Sequence, residues 1–262
     1  MQTITLLNEK GGVGKTTLAV HLASGLAIKG YKVLLIDTDP QCSATISLGI
    51  EPDKRLNFFG LLIDDYNWKE VLLSPRRDIW AGEYDAKGRL SIVSGSLKTR
   101  AIPTLTEDRM LLFKRLKEIQ DGVDFVVFDT PPTPSLTNAM ILASTDYVIV
   151  PTDPESLALS GVANTIFHIQ EDNENRSQKM SQVQILGIQP TKYRKTDAHN
   201  TGIKFLNETY GDMIFPSVSL STTWSEAAFV KQTVFAYANE SPACKDAWKF
   251  VNRVLLGVGA VQ

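Results

Sequence analysis

Short runs of apolar, often β-branched residues recur along the chain, and several are followed by apolar residues at helical spacing. Residues 3–7 form the first run, and Leu18, Leu22 and Leu26 then recur at i, i+4 and i+8, on one face of a helix. After the Gly30-Tyr31 break, Val33-Leu34-Leu35-Ile36 predicts a buried strand. Leu90 to Val93 predicts a weaker strand, and residues 110–119 a helix carrying Leu111, Leu112, Leu116 and Ile119. Three further strands are predicted at Phe125-Val126-Val127-Phe128, Tyr147-Val148-Ile149-Val150 and Ile185-Leu186-Gly187-Ile188. Continuously apolar strands belong to parallel sheets covered on both faces. Their alternation with helices predicts an α/β fold, a doubly wound and mostly parallel sheet with helices on both faces. Residues 1–262 read as a single domain. Only the stretch from about 51 to 88, with Asp64-Asp65, Pro75, Arg76-Arg77, Trp68 and Trp80, lacks a clear period and reads as an irregular excursion packed on the core.

Composition narrows the class without changing the fold. With 43% hydrophobic and 21% charged residues, the chain is globular rather than disordered. A net charge of −2 gives no global nucleic-acid signal, so any DNA binding must come from a local patch. Cys42 and Cys244, far apart, suggest neither a disulfide framework nor a metal cage, and a reducing, cytoplasmic compartment is expected. His21, His168 and His199 share no ligand spacing. No apolar run reaches the length of a membrane span, and the first strand begins too near Met1 to leave room for an N-terminal helix-turn-helix domain.

Candidate chemistry falls at the carboxyl ends of strands, where ligands sit in open parallel sheets. The first strand runs into Lys10-Gly11-Gly12-Val13-Gly14-Lys15-Thr16-Thr17. Glycines there let successive backbone N–H groups face phosphate oxygens, and the following helix adds its positive end. Lys15 is placed to reach the β- and γ-phosphates, and the Thr16 hydroxyl to bind Mg²⁺. A dinucleotide turn needs a third glycine where Thr17 stands and leaves Lys15 without a role. At the second strand's end, Asp37 and Asp39 are spaced i, i+2 and project the same way, toward the phosphates. Asp129, closing the Phe125-to-Phe128 run and followed by Thr130-Pro131-Pro132, matches a Walker B acid that holds Mg²⁺ through water.

The loop departs from the ordinary Walker pattern: Glu9 stands where the first glycine belongs, and Lys10 follows it. In this it resembles the deviant Walker A box of the ParA/MinD P-loop ATPases. That resemblance implies a slow Mg²⁺-dependent ATPase whose active form is a homodimer with ATP sandwiched between subunits. Lys10 would cross the interface to the partner's ATP and supply charge to the transferring phosphoryl group. Asp39 would orient the attacking water, and Asp37 would support Mg²⁺ through water. The catalytic set is therefore Lys10, Lys15 and Asp39, and the metal set Thr16, Asp37 and Asp129.

Asp39-Pro40-Gln41, Asp129-Thr130-Pro131-Pro132 and Ile185-Leu186-Gly187-Ile188 followed by Thr191 resemble the ParA partition ATPases in particular. Thr191 and Lys192 are expected to border the nucleotide. The resemblance implies positioning of plasmid, chromosome or another large cargo by nonspecific DNA binding on the nucleoid, with a ParB-like partner stimulating hydrolysis. Partition ATPases often carry DNA-binding arginines in the segment corresponding to 217–226, but here that stretch has no basic residue. The candidate phosphate contacts are instead Lys192, Arg194, Lys195, Lys204, Lys231, Lys245, Lys249 and Arg253. Two rival readings remain. The tail from Trp248 to Leu256 could form a membrane-surface helix, as in MinD-like switches. A metabolic ATPase or small-molecule kinase is the other, against which Lys10 argues because it implies a partner subunit.

Overall fold

The computed structural model describes residues 1–133, 135–176 and 180–260, and for 156–159 the backbone alone. Seven strands form one sheet in the order β3-β4-β2-β5-β1-β6-β7. They are β1 (Gln2–Leu6), β2 (Lys32–Asp37), β3 (Leu72–Leu73), β4 (Arg89–Val93), β5 (Phe125–Asp129), β6 (Tyr147–Thr152) and β7 (Gln184–Pro190). All pairs are parallel except that of the two-residue β3, which runs antiparallel to β4 at one edge. Every apolar run read from the sequence lies in one of these strands.

Helices cover both faces. In chain order they are α1 (Lys15–Ile28), α2 (Ser43–Ser47), α3 (Phe58–Leu62), α4 (Trp68–Val71), α5 (Arg77–Trp80), α6 (Ile102–Leu105) and α7 (Leu111–Lys117). Then follow α8 (Leu136–Ala143), α9 (Ser156–Glu174), α10 (Asp197–Tyr210), α11 (Thr222–Phe229), α12 (Val234–Tyr237) and α13 (Pro242–Gly257). Alternation along the strands divides the core. Val33, Leu35, Phe125 and Val127 pack beneath α1 and α13, whereas Leu34, Ile36, Val126 and Phe128 pack beneath α3, α7 and α8. Continuously apolar strands are what a sheet buried on both sides requires. The 51–88 excursion is more ordered than its pattern suggests. It holds α3, α4, β3 and α5, elements of two to five residues that are too short to show a period. Phe58, Leu61, Trp68 and Val71 bury it in the second of those cores.

α13 closes the first core, and here the structure corrects the membrane reading. Phe250, Val251, Val254 and Leu255 are buried against α1 and the sheet, so the apolar face is already covered. Gly25 of α1 permits the approach: a Cβ there would come within 2.6 Å of the Val251 side chain. Lys249 pairs with Asp246 at 3.0 Å, and the Arg253 guanidinium lies over the Phe215 ring. Among the described residues no helix is long and apolar enough to cross a membrane.

His21 joins α1 to the start of α12. Its Nδ1–H donates to the Thr17 carbonyl, and its Nε2 accepts from the Val234 N–H at 3.0 Å, a neutral imidazole with both nitrogens used. Burial drives its pKa from 6.5 down to about 4. Because the unfolded chain takes up that proton first, stability from this group is intact above pH 6.5 and falls as pH drops toward 4. The loss reaches about 3 kcal/mol. Asp37 acts in the opposite sense: its carboxyl is raised from 3.8 to about 6, so its contribution declines as pH rises through that window. We expect His21→Gln to flatten the acid side of a plot of urea midpoint against pH. An unchanged slope between pH 6.5 and 4 would remove His21 as the cause.

Candidate functional site

Three strands at the centre of the sheet end together. β5 lies between β1 and β2, with Leu6 in register with Asp129 on one side and Asp37 in register with Asp129 on the other. The glycine loop and both acid motifs therefore leave the sheet at adjacent points on one edge. The loop turns through Gly12 (φ +73°) and Gly14 (φ +88°), a left-handed conformation that glycine adopts without cost, and Lys15 opens α1.

Asn8, fully buried, is the loop's anchor, and the sequence reading passed over it. Its Nδ2 donates to the Pro151 carbonyl at 2.7 Å, and its Oδ1 accepts from the Lys10 N–H at 2.8 Å. The Lys15 Nζ folds back over the loop, donating to the Asn8 carbonyl at 2.8 Å and the Lys10 carbonyl at 3.0 Å. Burial lowers its pKa, while Asp129 and Asp39 hold it up. Two residues beyond β1 and directly before the charged start of the loop, Asn8 carries no sequence signal of this role.

The acids differ sharply in their surroundings. Asp37 is satisfied by protein donors: Oδ2 accepts from the Thr45 N–H at 2.9 Å and the Thr45 hydroxyl at 2.6 Å, and Oδ1 from the Asp39 N–H. This ties the turn after β2 to α2. Asp129 is fully buried, and neither carboxylate oxygen meets a hydrogen-bond donor at bonding geometry. Its pKa is pushed well above the carboxylate range by burial, with the Asp37 carboxylate adding to this and the Thr16 hydroxyl and Lys15 opposing it. A buried, unpaired carboxylate beside a threonine hydroxyl is costly unless something cationic or hydrated completes it.

Asp39 is half-buried, with Oδ1 accepting from the Gln41 N–H, and it forms one wall of a cavity of about 450 Å³. Gly11, Gly12, Lys15, Thr16, Thr17 and Lys192 line the same cavity, as do Ser43, Ser47 and Thr130, which the sequence did not single out. A second cavity of about 300 Å³ adjoins it through Gly14, Thr17 and Lys192 and is walled by Leu18, Thr191, Leu220 and Trp224. Polar and apolar compartments sharing Gly14 and Thr17 suit the phosphates and the base of one nucleotide. The Thr191 hydroxyl bonds to the Val13 and Thr152 carbonyls and fixes β7 to the loop. Lys192 takes a left-handed backbone (φ +53°), which sets its chain over Gly12. The Lys10 ammonium has no ion-pair or hydrogen-bond partner among the described residues.

The basic candidates are spread over several surface elements. Arg194 and Lys195 are exposed on the loop after β7, which pairs with the 218–220 segment through Tyr193 N–H to the Val218 carbonyl and Leu220 N–H to the Tyr193 carbonyl. The other flank of that segment is tied to α13 by the Ser219 N–H and Asp246. Lys245, Lys249 and Arg253 occur at successive i+4 steps on α13. Arg253 is otherwise engaged, donating to the Asp212 carbonyl at 3.2 Å. Lys231 follows α11, and Lys204, on α10, pairs loosely with Glu208.

Fold and loop together define a P-loop ATPase. A family model described as an AAA domain matches residues 1–182. The chromosome-partitioning ATPase Soj of Thermus thermophilus is 29% identical over 261 residues, covering 98% of this chain and 97% of its own. Soj of Treponema pallidum is 30% identical over 220 residues, 83% and 82% of the two chains. Among solved structures, an ATP complex of Cyanothece McdA superposes with a TM-score of 0.81 at 20% identity, covering 100% of this chain and 98% of that one, a likeness of fold. The chain belongs to the ParA/Soj family of chromosome- and plasmid-partition ATPases.

Proposed function

We propose that this chain is a dimerising switch: it binds ATP, closes as an ATP-sandwich homodimer, holds nonspecific duplex DNA and is reset by slow hydrolysis. It would position plasmid, chromosome or another large cargo on the nucleoid, within the cytoplasm, with a ParB-like partner stimulating hydrolysis. The observation that carries this reading is the Lys10 side chain. It stands at the mouth of a loop whose own lysine, Lys15, already occupies the phosphate position, and among the described residues it has no ion-pair or hydrogen-bond partner. A second lysine beside Lys15 adds like-charge repulsion unless an anion meets it, and ATP in a facing subunit would be that anion.

Within one subunit, the loop N–H groups and Lys15 would bind the β- and γ-phosphates, and Thr191 and Lys192 would close over the nucleotide. The orphaned carboxylate of Asp129 beside Thr16 fits a hydrated Mg²⁺, with Thr16 as direct ligand and Asp129 holding a coordinated water. When bound, Mg²⁺ supplies positive charge against the β- and γ-phosphate oxygens. Asp37, saturated by Thr45 and the Asp39 N–H, supports this site by anchoring the turn that carries Asp39 and through its charge beside Asp129. Asp39 would orient the water for attack.

Binding to random duplex DNA and to anionic liposomes, each with ADP and with ATP, tests the reading. ATP-dependent DNA binding with no liposome binding is expected; the reverse outcome would replace it with a membrane switch. Arg194→Glu with Lys195→Glu should weaken the DNA complex and lower the slope of log affinity against log salt by about 2, leaving ATP affinity unchanged. An unaltered DNA shift would remove that loop from the interface.

A further inference from the structure

A third cavity, of about 500 Å³, lies behind Asp39. It shares two wall residues with the phosphate cavity, Asp39 and Pro132, so the two spaces meet where the terminal phosphate of a bound nucleotide would end. On one side stand Pro40 and Gln41, on the other Pro131 and Thr133, the turns that follow the two acid motifs. Ser135 and Thr137 bring the first turn of α8 to its wall, with the partial positive charge of that helix end. Arg100 supplies the one full positive charge in the lining. It sits on a short 3₁₀ turn (Leu97–Ala101) held by the Ser96 side chain, which accepts from the Lys98 N–H, and by the buried Thr99 and Ile102. The exposed Arg100 guanidinium makes no hydrogen bond or ion pair with the described residues, although seven arginines elsewhere (Arg55, Arg76, Arg77, Arg109, Arg115, Arg176 and Arg253) are tied to side chains or carbonyls.

We infer that this cavity is an exit station for inorganic phosphate, with Arg100 as its ligand. The inference rests on the hydrolysis reading above. Once the bond to the γ-phosphoryl group has broken, inorganic phosphate is an oxyanion beside the Asp39 carboxylate, which repels it. Bound ADP, itself anionic, would add to that repulsion from the other side. The space beyond Asp39 and Pro132 offers a planar five-donor cation, well matched to a phosphate oxyanion, and a helix start of the same sign. Phosphate therefore leaves past Asp39 to Arg100 rather than over the nucleotide.

The test uses the full chain with Mg·ADP and radiolabelled inorganic phosphate in equilibrium dialysis. Phosphate should bind the ADP complex, Arg100→Ala should weaken that binding about tenfold, and Arg100→Lys should recover part of it. ADP affinity, measured on the same samples, should stay unchanged in both variants, which establishes that they are folded with an intact nucleotide site. Phosphate binding equal in the parent and Arg100→Ala would place the oxyanion at the γ position alone and overturn the inference. Absence of phosphate binding to the parent ADP complex would overturn it as well. Failure of ADP itself to bind would instead count against the nucleotide-site reading.

Discussion

Lys15→Ala is expected to lower ATP affinity by a factor on the order of 10² to 10⁴, the largest effect of any single change in the binding site. Two charge-assisted bonds to phosphate oxygens would be lost, each contributing roughly 1.5–3 kcal/mol. The substitution has a second consequence in the nucleotide-free protein. Lys15 Nζ bonds the Asn8 and Lys10 carbonyls, and its charge faces Asp129 and Asp39. Without it, Asp129 loses a group that opposes its raised pKa and would hold its proton to higher pH. Titration of a fluorescent ATP analogue measures the first effect. Affinity within threefold of the parent protein would overturn the assignment of the loop. Lys15→Arg serves as a control for charge alone: the larger guanidinium cannot occupy a pocket framed by two carbonyls at 2.8 and 3.0 Å, so little recovery is expected.

Much of this site was legible in the sequence because its geometry is local. Four strands are continuous apolar runs, and the acids are one step beyond two of them, so knowing the strands fixes where Asp37 and Asp129 emerge. The candidate loop is made of adjacent residues; Lys15 and Thr16 line one, and Thr191 the other, of the two cavities that adjoin at Gly14. What the pattern could not give depends on contacts across long separations. Asp37 and Asp129 look alike in sequence, each an acid after a buried strand. Thr45, eight residues on, and the Asp39 N–H satisfy Asp37, whereas no donor reaches bonding geometry at Asp129. Asn8 reads as an ordinary turn residue until Pro151 and Lys15 are seen to meet it. The tail was ambiguous for the same reason. Its amphipathic pattern serves a membrane or a core equally, and the choice lies with Gly25, more than two hundred residues away. Arg100 lies between the β4 run and the next helix, a region with no period and no motif to draw the eye.

Asp39 and Lys10 should separate into two different failures of one cycle. Asp39→Ala is expected to slow hydrolysis on the order of 10² to 10⁴-fold while leaving ATP affinity near the parent value. Its carboxylate is half-buried on the wall between the phosphate cavity and the space behind it, and among the described residues it bonds only the Gln41 N–H, so its removal disturbs little else. ATP would then persist, and with it the dimer, so size-exclusion with ATP should give a stable species of twice the monomer mass. Lys10→Ala should also stop turnover, but by another route. Its backbone N–H still bonds Asn8 and its carbonyl still receives Lys15, so the subunit's own site keeps its shape and binds ATP. On the sandwich reading the missing charge would act on the facing subunit's ATP, and the ATP dimer should fail to form. A mixture of Asp39→Ala and Lys10→Ala subunits distinguishes the roles further. In a mixed dimer, the Lys10→Ala subunit keeps its own Asp39 and receives Lys10 from its neighbour, so one of the two sites is complete and hydrolysis should return. Mixed subunits as inactive as either alone would place Lys10 in its own subunit's site, and the sandwich would lose its main physical support.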